Sequence, residues 1–230
     1  VPWIHALFEN TAAVASGVES GLDAMKRKGR GPAQDVTVVA QGGDGSTFDI
    51  SFGLISGMWE RGDNILYICY DNEAYSNTGM QASGATPFGS STTTTPVGEG
   101  KGAIEFGSGQ RKKDMVAIAI AHGLKYAAQT TIGLLEDVKT KVANALKAEG
   151  PAYLQIMVPC VPGWRIKPDQ TLQVARLGAQ TGLYPSFEYV NGEIANRLKV
   201  PKPTPKVDEY LKLQGRFAHL FPGGKPSEAV

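Results

Sequence analysis

The sequence predicts an α/β fold with a mostly parallel central sheet flanked by helices, and three observations carry that reading. Residues 36–40 and 65–70 are short apolar runs rich in β-branched side chains, as expected of strands buried on both faces. Between them, residues 47–60 set Phe48, Phe52, Ile55 and Trp59 at helical spacing. Both apolar runs end in polar turns, Gln41-Gly42-Gly43-Asp44-Gly45 and Asp71-Asn72-Glu73. Strand, turn, helix, strand is a βαβ unit, whose right-handed crossover returns both strand ends to one edge of the sheet. That carboxyl edge is where open α/β sheets bind ligands.

Composition sets the outer limits. At 230 residues the chain has room for one large domain or two small ones, and 42% hydrophobic content supplies a sizeable core. A net charge of +1 gives no electrostatic reason to expect nucleic acid or an anionic membrane. No apolar run approaches the ~20 residues of a membrane span. Two cysteines are too few for a disulfide framework. Val1-Pro2-Trp3-Ile4-His5 lacks the basic and apolar regions of a signal peptide, so the chain is read as opening directly on an element, with no leader.

Residues 4–28 read as the first helix, with Leu7, Ala13 or Val14, Val18 and Leu22 at helical spacing and Lys26, Arg27 and Lys28 at its carboxyl end. Small residues at 12, 13, 15, 16 and 17 allow close packing, and Gly29-Arg30-Gly31-Pro32 stops the helix. His5 reads as a packed or capping group, or as a site residue. Asp49, early in the next helix, is accounted for by the helix dipole. Cys69, inside the second strand, reads as core.

Residues 71–95 form a long polar loop, of the kind that is usually functional or mobile. Residues 99–111, glycine-rich and charged, read as a surface excursion that touches a partner. A short helix at 114–122, a strand at 126–130 and an amphipathic helix at 134–149 follow, the last placing Val138, Val142, Ala145 and Leu146 on one face. Residues 153–158 read as the last core strand. Beyond Lys167 the pattern changes: a helical turn at 175–182, an aromatic stretch at 184–190, a proline-rich connector at 199–206 and a last helix at 207–221. The division expected is an α/β domain over 1–165 and an extension over 166–230 that packs on the domain or on partner subunits.

The chemistry lies in the spacing. Asp44 ends the first strand, Asn72 ends the second, and the 25 residues from 46 to 70 hold one helix and one strand. A carboxylate and an amide oxygen on adjacent strand ends can grip one hard cation, and Mg²⁺ takes few protein oxygens together with ligand phosphates. Glycines beside Asp44 let a diphosphate approach the backbone, and the helix N-terminus favours its charge. A bare Gly-Asp-Gly also reads as an ordinary turn in which Asp44 caps the helix; the polar turn at the right distance favours the site.

Gly43-Asp44-Gly45, about 25 residues and then an asparagine turn resembles the thiamine diphosphate motif. Three longer strings narrow the likeness: Gly-Asp-Gly-Ser-Thr-Phe-Asp-Ile, Tyr-Asp-Asn-Glu-Ala-Tyr-Ser-Asn-Thr-Gly and Ala-Thr-Pro-Phe-Gly. Together they resemble the β subunit of the pyruvate:ferredoxin and related 2-oxoacid oxidoreductases, from Val1 to about Trp164. The likeness is weakest over 97–110 and after 166.

The resemblance implies a cytoplasmic enzyme subunit of thiamine diphosphate-binding fold that takes part in oxidative decarboxylation of a 2-oxoacid. Electrons pass singly to iron–sulfur clusters and to ferredoxin, and with pyruvate the acyl group goes to coenzyme A. Pyruvate is the commonest substrate in the family; oxalate, phenylglyoxylate and branched oxoacids use related chains. Gly43, Asp44, Gly45, Ser46, Asn72 and Ala74 would hold the cofactor, with Asp44, Asn72 and the Ala74 carbonyl on Mg²⁺. Asn77 and Thr78 would lie over its reactive end, although Asn77 also reads as a turn former.

Cys160, between Pro159 and Val161-Pro162, reads on its own as an inert core residue. The resemblance makes it the fourth thiolate of a [4Fe–4S] cluster whose other three cysteines lie in an upstream leader, so the chain is either a fragment or has lost that leader. It also implies partner subunits, one of which supplies the glutamate that activates the cofactor, and hence an isolated chain without activity. A non-redox thiamine decarboxylase or synthase, or a non-catalytic cofactor-binding fragment, would share Asp44 and Asn72.

Overall fold

In the computed structural model residues 2–98 and 106–227 are described, and they hold one six-stranded sheet in the order β1-β2-β4-β3-β5-β6. The chain runs through α1 (Thr11–Arg27), β1 (Val38–Gly43), a π-helical stretch (Gly45–Ile50), α2 (Phe52–Glu60) and β2 (Ile65–Asp71). After the long loop come α3 (Met115–Ala121), β3 (Tyr126–Thr131), α4 (Leu135–Ala145) and β4 (Ala152–Met157). The remainder is α5 (Val161–Trp164), α6 (Thr171–Gln180), β5 (Phe187–Val190), β6 (Glu193–Ala195), α7 (Val207–Lys212) and a 3₁₀ segment (Gly215–Leu220).

The first four strands are parallel. Because side chains alternate along a strand, β2 feeds two cores at once. Ile65, Tyr67 and Cys69 face the layer built by Ala12 and Ala15 of α1, Ile55, Met58 and Trp59 of α2, and Met115 and Ala119 of α3. Leu66 and Ile68 face the opposite layer, where Val138, Val142 and Ala145 of α4 lie. Ile55 and Met58 are fully buried, each contributing on the order of 1.5–3 kcal/mol of hydrophobic stabilisation.

Several boundaries differ from the sequence reading, each for a local reason. The first helix starts at Thr11 rather than Ile4, because Glu9 adopts a positive φ of 78° that no right-handed helix passes through. Trp3, Ile4, His5, Leu7 and Phe8 are therefore exposed on a non-helical segment. The first strand runs three residues further, to Gly43, and the helix after it opens with one wide π-helical turn. Leu146, expected on the buried face of α4, is exposed.

β4 is not the last strand. β5 pairs antiparallel with β3 and β6 with β5, extending the same sheet, so the segment after Lys167 shares the core of the domain. The helix expected over 207–221 breaks after Lys212 into the 3₁₀ segment, which carries buried Arg216, Phe217 and Leu220. Of the excursion at 99–111, residues 99–105 lie outside the described residues. Ser108 is buried and exchanges backbone hydrogen bonds with Gly89 and Ser90 of the long loop.

Candidate active site

The register of the parallel strands brings Gly43 opposite Tyr70, and Asp71 opposite Met157, so the ends of β1, β2 and β4 share one edge. Asp44 follows β1 directly and starts the helical stretch with αR geometry. It is 1% exposed. Its Oδ1 accepts from the Asn72 N–H at 3.1 Å and its Oδ2 from the Ser83 hydroxyl at 2.6 Å. Burial, reinforced by the neighbouring Asp71 charge, pushes the Asp44 carboxyl up to about 7.

The Asn72 side chain turns to the same point. Its oxygen lies 3.1 Å from Asp44 Oδ1 and 2.8 Å from the Ala74 carbonyl oxygen, and the Ser76 hydroxyl donates to it at 2.6 Å. Asp44 Oδ1 and Ala74 O are both acceptors, so in the metal-free chain the reversed Asn72 amide, whose nitrogen donates to both, satisfies all three groups; a cation among them would select the orientation that presents the amide oxygen. Cis oxygens of an octahedron with 2.0–2.1 Å bonds stand about 2.9 Å apart. With the amide oxygen turned inward, its separations of 3.1 and 2.8 Å from Asp44 Oδ1 and Ala74 O suit a small hard cation. Among the described residues no cluster of three or more His, Cys, Asp or Glu side chains is present.

The glycines divide the work. A Cβ on Gly43 would meet nothing within 4 Å, so its backbone is open to a ligand. A Cβ on Gly45 would stand 2.4 Å from Tyr75 Cε1, so that glycine admits the tyrosine ring. Tyr75 then donates to Gly45 O at 3.0 Å and to Asp49 Oδ2 at 3.2 Å. Ser46 is buried, with its hydroxyl 2.8 Å from that of Ser51. Asp49 does more than meet the helix dipole: it accepts from the Gly84 N–H at 2.8 Å and from Lys113 at 2.7 Å, fastening the long loop over the helix.

Asn77 and Thr78 are exposed on that loop next to the site turn. The Thr78 hydroxyl donates to Gln81 Oε1 at 2.6 Å. Cys160 is half-buried and caps α5; the Trp164 N–H donates to its carbonyl, and the Trp164 indole N–H donates to Asn72 O at 2.7 Å. Cys160 and the Asn72 turn are thus joined through Trp164, by its backbone N–H on one side and its indole on the other. Cys69 is fully buried in the core, where burial raises its thiol pKa well above the ordinary value.

Sequence reasoning missed a buried charge network behind the turn. Lys112 donates to Asp71 Oδ2 at 2.5 Å and to Glu73 Oε1 at 2.9 Å, and Arg216 donates to Glu73 Oε2 at 2.6 Å. Gln155 and Tyr184 also donate to Asp71 Oδ2, at 2.8 and 3.1 Å. Burial alone would raise Glu73, but the Lys112 and Arg216 charges win and hold it below its usual range. Asp71 remains raised by burial in spite of Lys112. No periodicity announces these partners, since Arg216 and Glu73 lie 143 residues apart.

A buried carboxylate at a strand end, an asparagine turn facing it and the open backbone of Gly43 ahead of a helical stretch suit a thiamine diphosphate-binding domain. The sequence profile of the thiamine pyrophosphate enzyme, C-terminal TPP binding domain, matches residues 2–156. The chain is 50% identical to pyruvate synthase subunit PorB of Methanosarcina barkeri, over 96% of this chain and 71% of that one. It is 48% identical to PorB of Methanocaldococcus jannaschii, over 96% and 72%. With ketoisovalerate oxidoreductase subunit VorB of Pyrococcus abyssi the identity is 44%, over 94% and 68%. A solved 2-oxoglutarate:ferredoxin oxidoreductase from Magnetococcus marinus superposes with a TM-score of 0.58 at 24% identity, covering 86% of this chain and 65% of that one; this is a likeness of fold. The chain belongs to the thiamine diphosphate-binding subunits of the 2-oxoacid:ferredoxin oxidoreductases.

Proposed function

We propose that this subunit serves a pyruvate:ferredoxin oxidoreductase in which Asp44, Asn72 and the Ala74 carbonyl hold Mg²⁺ against the diphosphate of the cofactor. The observation that carries the site is the convergence of three groups from two strand ends: the Asn72 side-chain amide lies 3.1 Å from Asp44 Oδ1 and 2.8 Å from the Ala74 carbonyl oxygen. The open backbone of Gly43 and the start of the helical stretch, from Gly45 and Ser46, receive the diphosphate. Asn77 and Thr78, exposed beside the turn, stand over the reactive end.

When bound, thiamine diphosphate supplies the nucleophilic carbon and the electron sink for loss of carbon dioxide from a 2-oxoacid. The chain's own part is to fix the metal, to orient the diphosphate and to keep the turn rigid. Cys160 provides one thiolate to a [4Fe–4S] cluster, with three further cysteines from outside the sequence described here. Other subunits complete the pocket, coenzyme A accepts the acyl group and ferredoxin the electrons, in the cytoplasm. None of the described helices is long and apolar enough to cross a membrane.

Pyruvate is favoured as substrate because the pyruvate synthase subunits of two methanogens reach 50% and 48% identity; the Pyrococcus pyruvate synthase subunits, at 43% and 42%, stand level with the 44% of the ketoisovalerate subunits, so turnover decides between the two. Turnover of the assembled enzyme with pyruvate, 2-oxoisovalerate, 2-oxoglutarate, oxalate and phenylglyoxylate, read by viologen reduction, tests this. Pyruvate should give the highest kcat/KM. A preference for 2-oxoisovalerate would make the chain a branched-chain oxoacid subunit instead.

A further inference from the structure

The Asn72 turn is held in an unusual way. Three successive carbonyls are taken by protein donors from three different elements: Asp71 O by the Val158 N–H at 2.8 Å, Asn72 O by the Trp164 indole at 2.7 Å, and Glu73 O by the Thr86 hydroxyl at 2.8 Å. Ala74 O accepts no hydrogen bond from another residue's donor among the described residues while the Asn72 amide keeps its orientation. Glu73, between Asn72 and Ala74, adopts φ 64°, a left-handed conformation that costs a non-glycine residue free energy. Its side chain is then fixed at both ends by charge, Lys112 on Oε1 and Arg216 on Oε2.

Arg216 is itself built in. It is 2% exposed, donates to Gln214 Oε1 at 2.9 Å through Nε and 2.7 Å through Nη2, and stacks its guanidinium 3.6 Å from the centre of the Trp164 ring. Trp164 is the same side chain that holds Asn72 O. The carboxyl-terminal segment thus reaches the metal-binding turn twice, through Glu73 and through Trp164.

We infer that Arg216 is a positioning residue for the metal: with Lys112 it clamps Glu73 in its left-handed conformation and so fixes the Asn72 and Ala74 oxygens at octahedral spacing. The clamp rests on the Mg²⁺ reading proposed above. Its consequence is selectivity. Mg²⁺ demands a small, near-ideal octahedron at 2.0–2.1 Å, whereas Ca²⁺ accepts looser sites at 2.3–2.6 Å. A turn released from its clamp loses Mg²⁺ more than Ca²⁺.

The test uses the assembled enzyme stripped of metal and titrated with Mg²⁺ and with Ca²⁺, reading thiamine diphosphate binding. The double variant Glu73→Gln/Arg216→Met removes both charges together and leaves no buried charge unpaired; Arg216→Lys keeps the charge without the planar fork. Outer-shell changes at metal sites cost about 10–100-fold in affinity. The double variant should weaken Mg²⁺ by about tenfold or more and shift the Mg²⁺/Ca²⁺ preference toward Ca²⁺, with Arg216→Lys intermediate. Parental affinities in both variants, or an equal loss for the two metals, would overturn the clamp. Asp44→Ala separates the two readings. If it abolishes metal dependence while the double variant binds as the parent does, only the clamp fails. If Asp44→Ala changes nothing, the site assignment fails and the clamp with it.

Discussion

The Asn72 side-chain amide stands 3.1 Å from Asp44 Oδ1, where its nitrogen can donate to the carboxylate in the metal-free chain and its oxygen can turn to a shared cation. The carboxylate comes from the end of β1 and the amide from the end of β2, so the pair exists only because parallel pairing aligns those ends. In the proposed Mg²⁺ site each group contacts the metal directly, so removing one should cost more than the ~10–100-fold of outer-shell changes. Asp44→Ala should abolish metal-dependent binding of thiamine diphosphate with the fold intact by circular dichroism. Unchanged cofactor affinity in that variant would sink the assignment.

The Asp44 carboxyl gives the site a pH dependence whose sign can be worked out. Burial raises it from an ordinary 3.8 to about 7. Between these values the folded metal-free chain keeps a proton that the unfolded chain has lost, so its stability falls as pH rises from about 4 toward 7. Metal binding needs the carboxylate and displaces that proton. Mg²⁺ affinity should therefore drop by about fivefold from pH 7 to pH 6 and by close to tenfold per unit below that. Titrations at pH 6 and pH 7 check the slope, and equal affinities would mean that Asp44 is ionised throughout.

What was legible in the sequence was whatever depends on near neighbours or fixed spacing. Apolar period and composition located β2, α2 and the core role of Cys69, and the interval between Asp44 and Asn72 pointed to two strand-end turns that the structure brings into contact. Contacts across the fold left no such trace. Nothing in the sequence singles out Arg216 or Lys112, which the structure sets on Glu73. Phe187 and Glu188 read as part of an aromatic stretch because strand pairing to β3 is a property of two segments, not one. The start of α1 was misplaced because the left-handed Glu9 is a single-residue event inside an apolar periodic run.

Two neighbouring glycines should respond differently to the same methyl group. Gly43→Ala fits without contact inside the protein, so it should keep the melting temperature and weaken cofactor binding where the diphosphate approaches. Gly45→Ala drives a carbon into the Tyr75 ring, an overpacking that costs about 1–3 kcal/mol. Melting curves and cofactor titrations on both variants should give opposite patterns. A Gly43→Ala enzyme with parental cofactor affinity would move the diphosphate away from this backbone.

A second buried lysine acts far from the cofactor. Lys141 of α4 has a fully buried side chain and donates to Asp137 at 2.5 Å and to Ser186 at 2.6 Å. Ser186 precedes β5, so the lysine joins α4 to the added antiparallel strands. Breaking a buried pair from one side costs about 3–5 kcal/mol. Lys141→Ala should destabilise the subunit by that order in chemical denaturation. Although burial pushes Asp137 up, its bonds to Lys141, Ser186 and Thr130 win and depress its pKa. Its contribution is complete above the ordinary carboxylate pKa and disappears as pH falls through the depressed one. The loss caused by Lys141→Ala should therefore shrink in acid; a loss independent of pH would point to packing alone.

The last prediction separates the two cysteines. Cys69 is buried between β2 and the helix layer, where its raised pKa keeps it a neutral thiol. Cys160 stands at the end of β4, half-buried, at the start of α5, and is tied to the Asn72 turn through Trp164. Only Cys160 therefore combines a strand-end position with access for a metal centre and proximity to the proposed cofactor edge. A cluster there would take electrons directly from the reaction site, one at a time. In the assembled enzyme, Cys160→Ser should lower the iron content by one cluster. It should also slow dye reduction far more than it changes KM for the oxoacid. Cys69→Ser should keep full iron and dye reduction, with at most a modest loss of stability from the altered core. Iron analysis and steady-state kinetics on both variants decide the matter. Full iron and full dye reduction in Cys160→Ser would remove this chain from the electron path and leave it a metal and diphosphate holder alone.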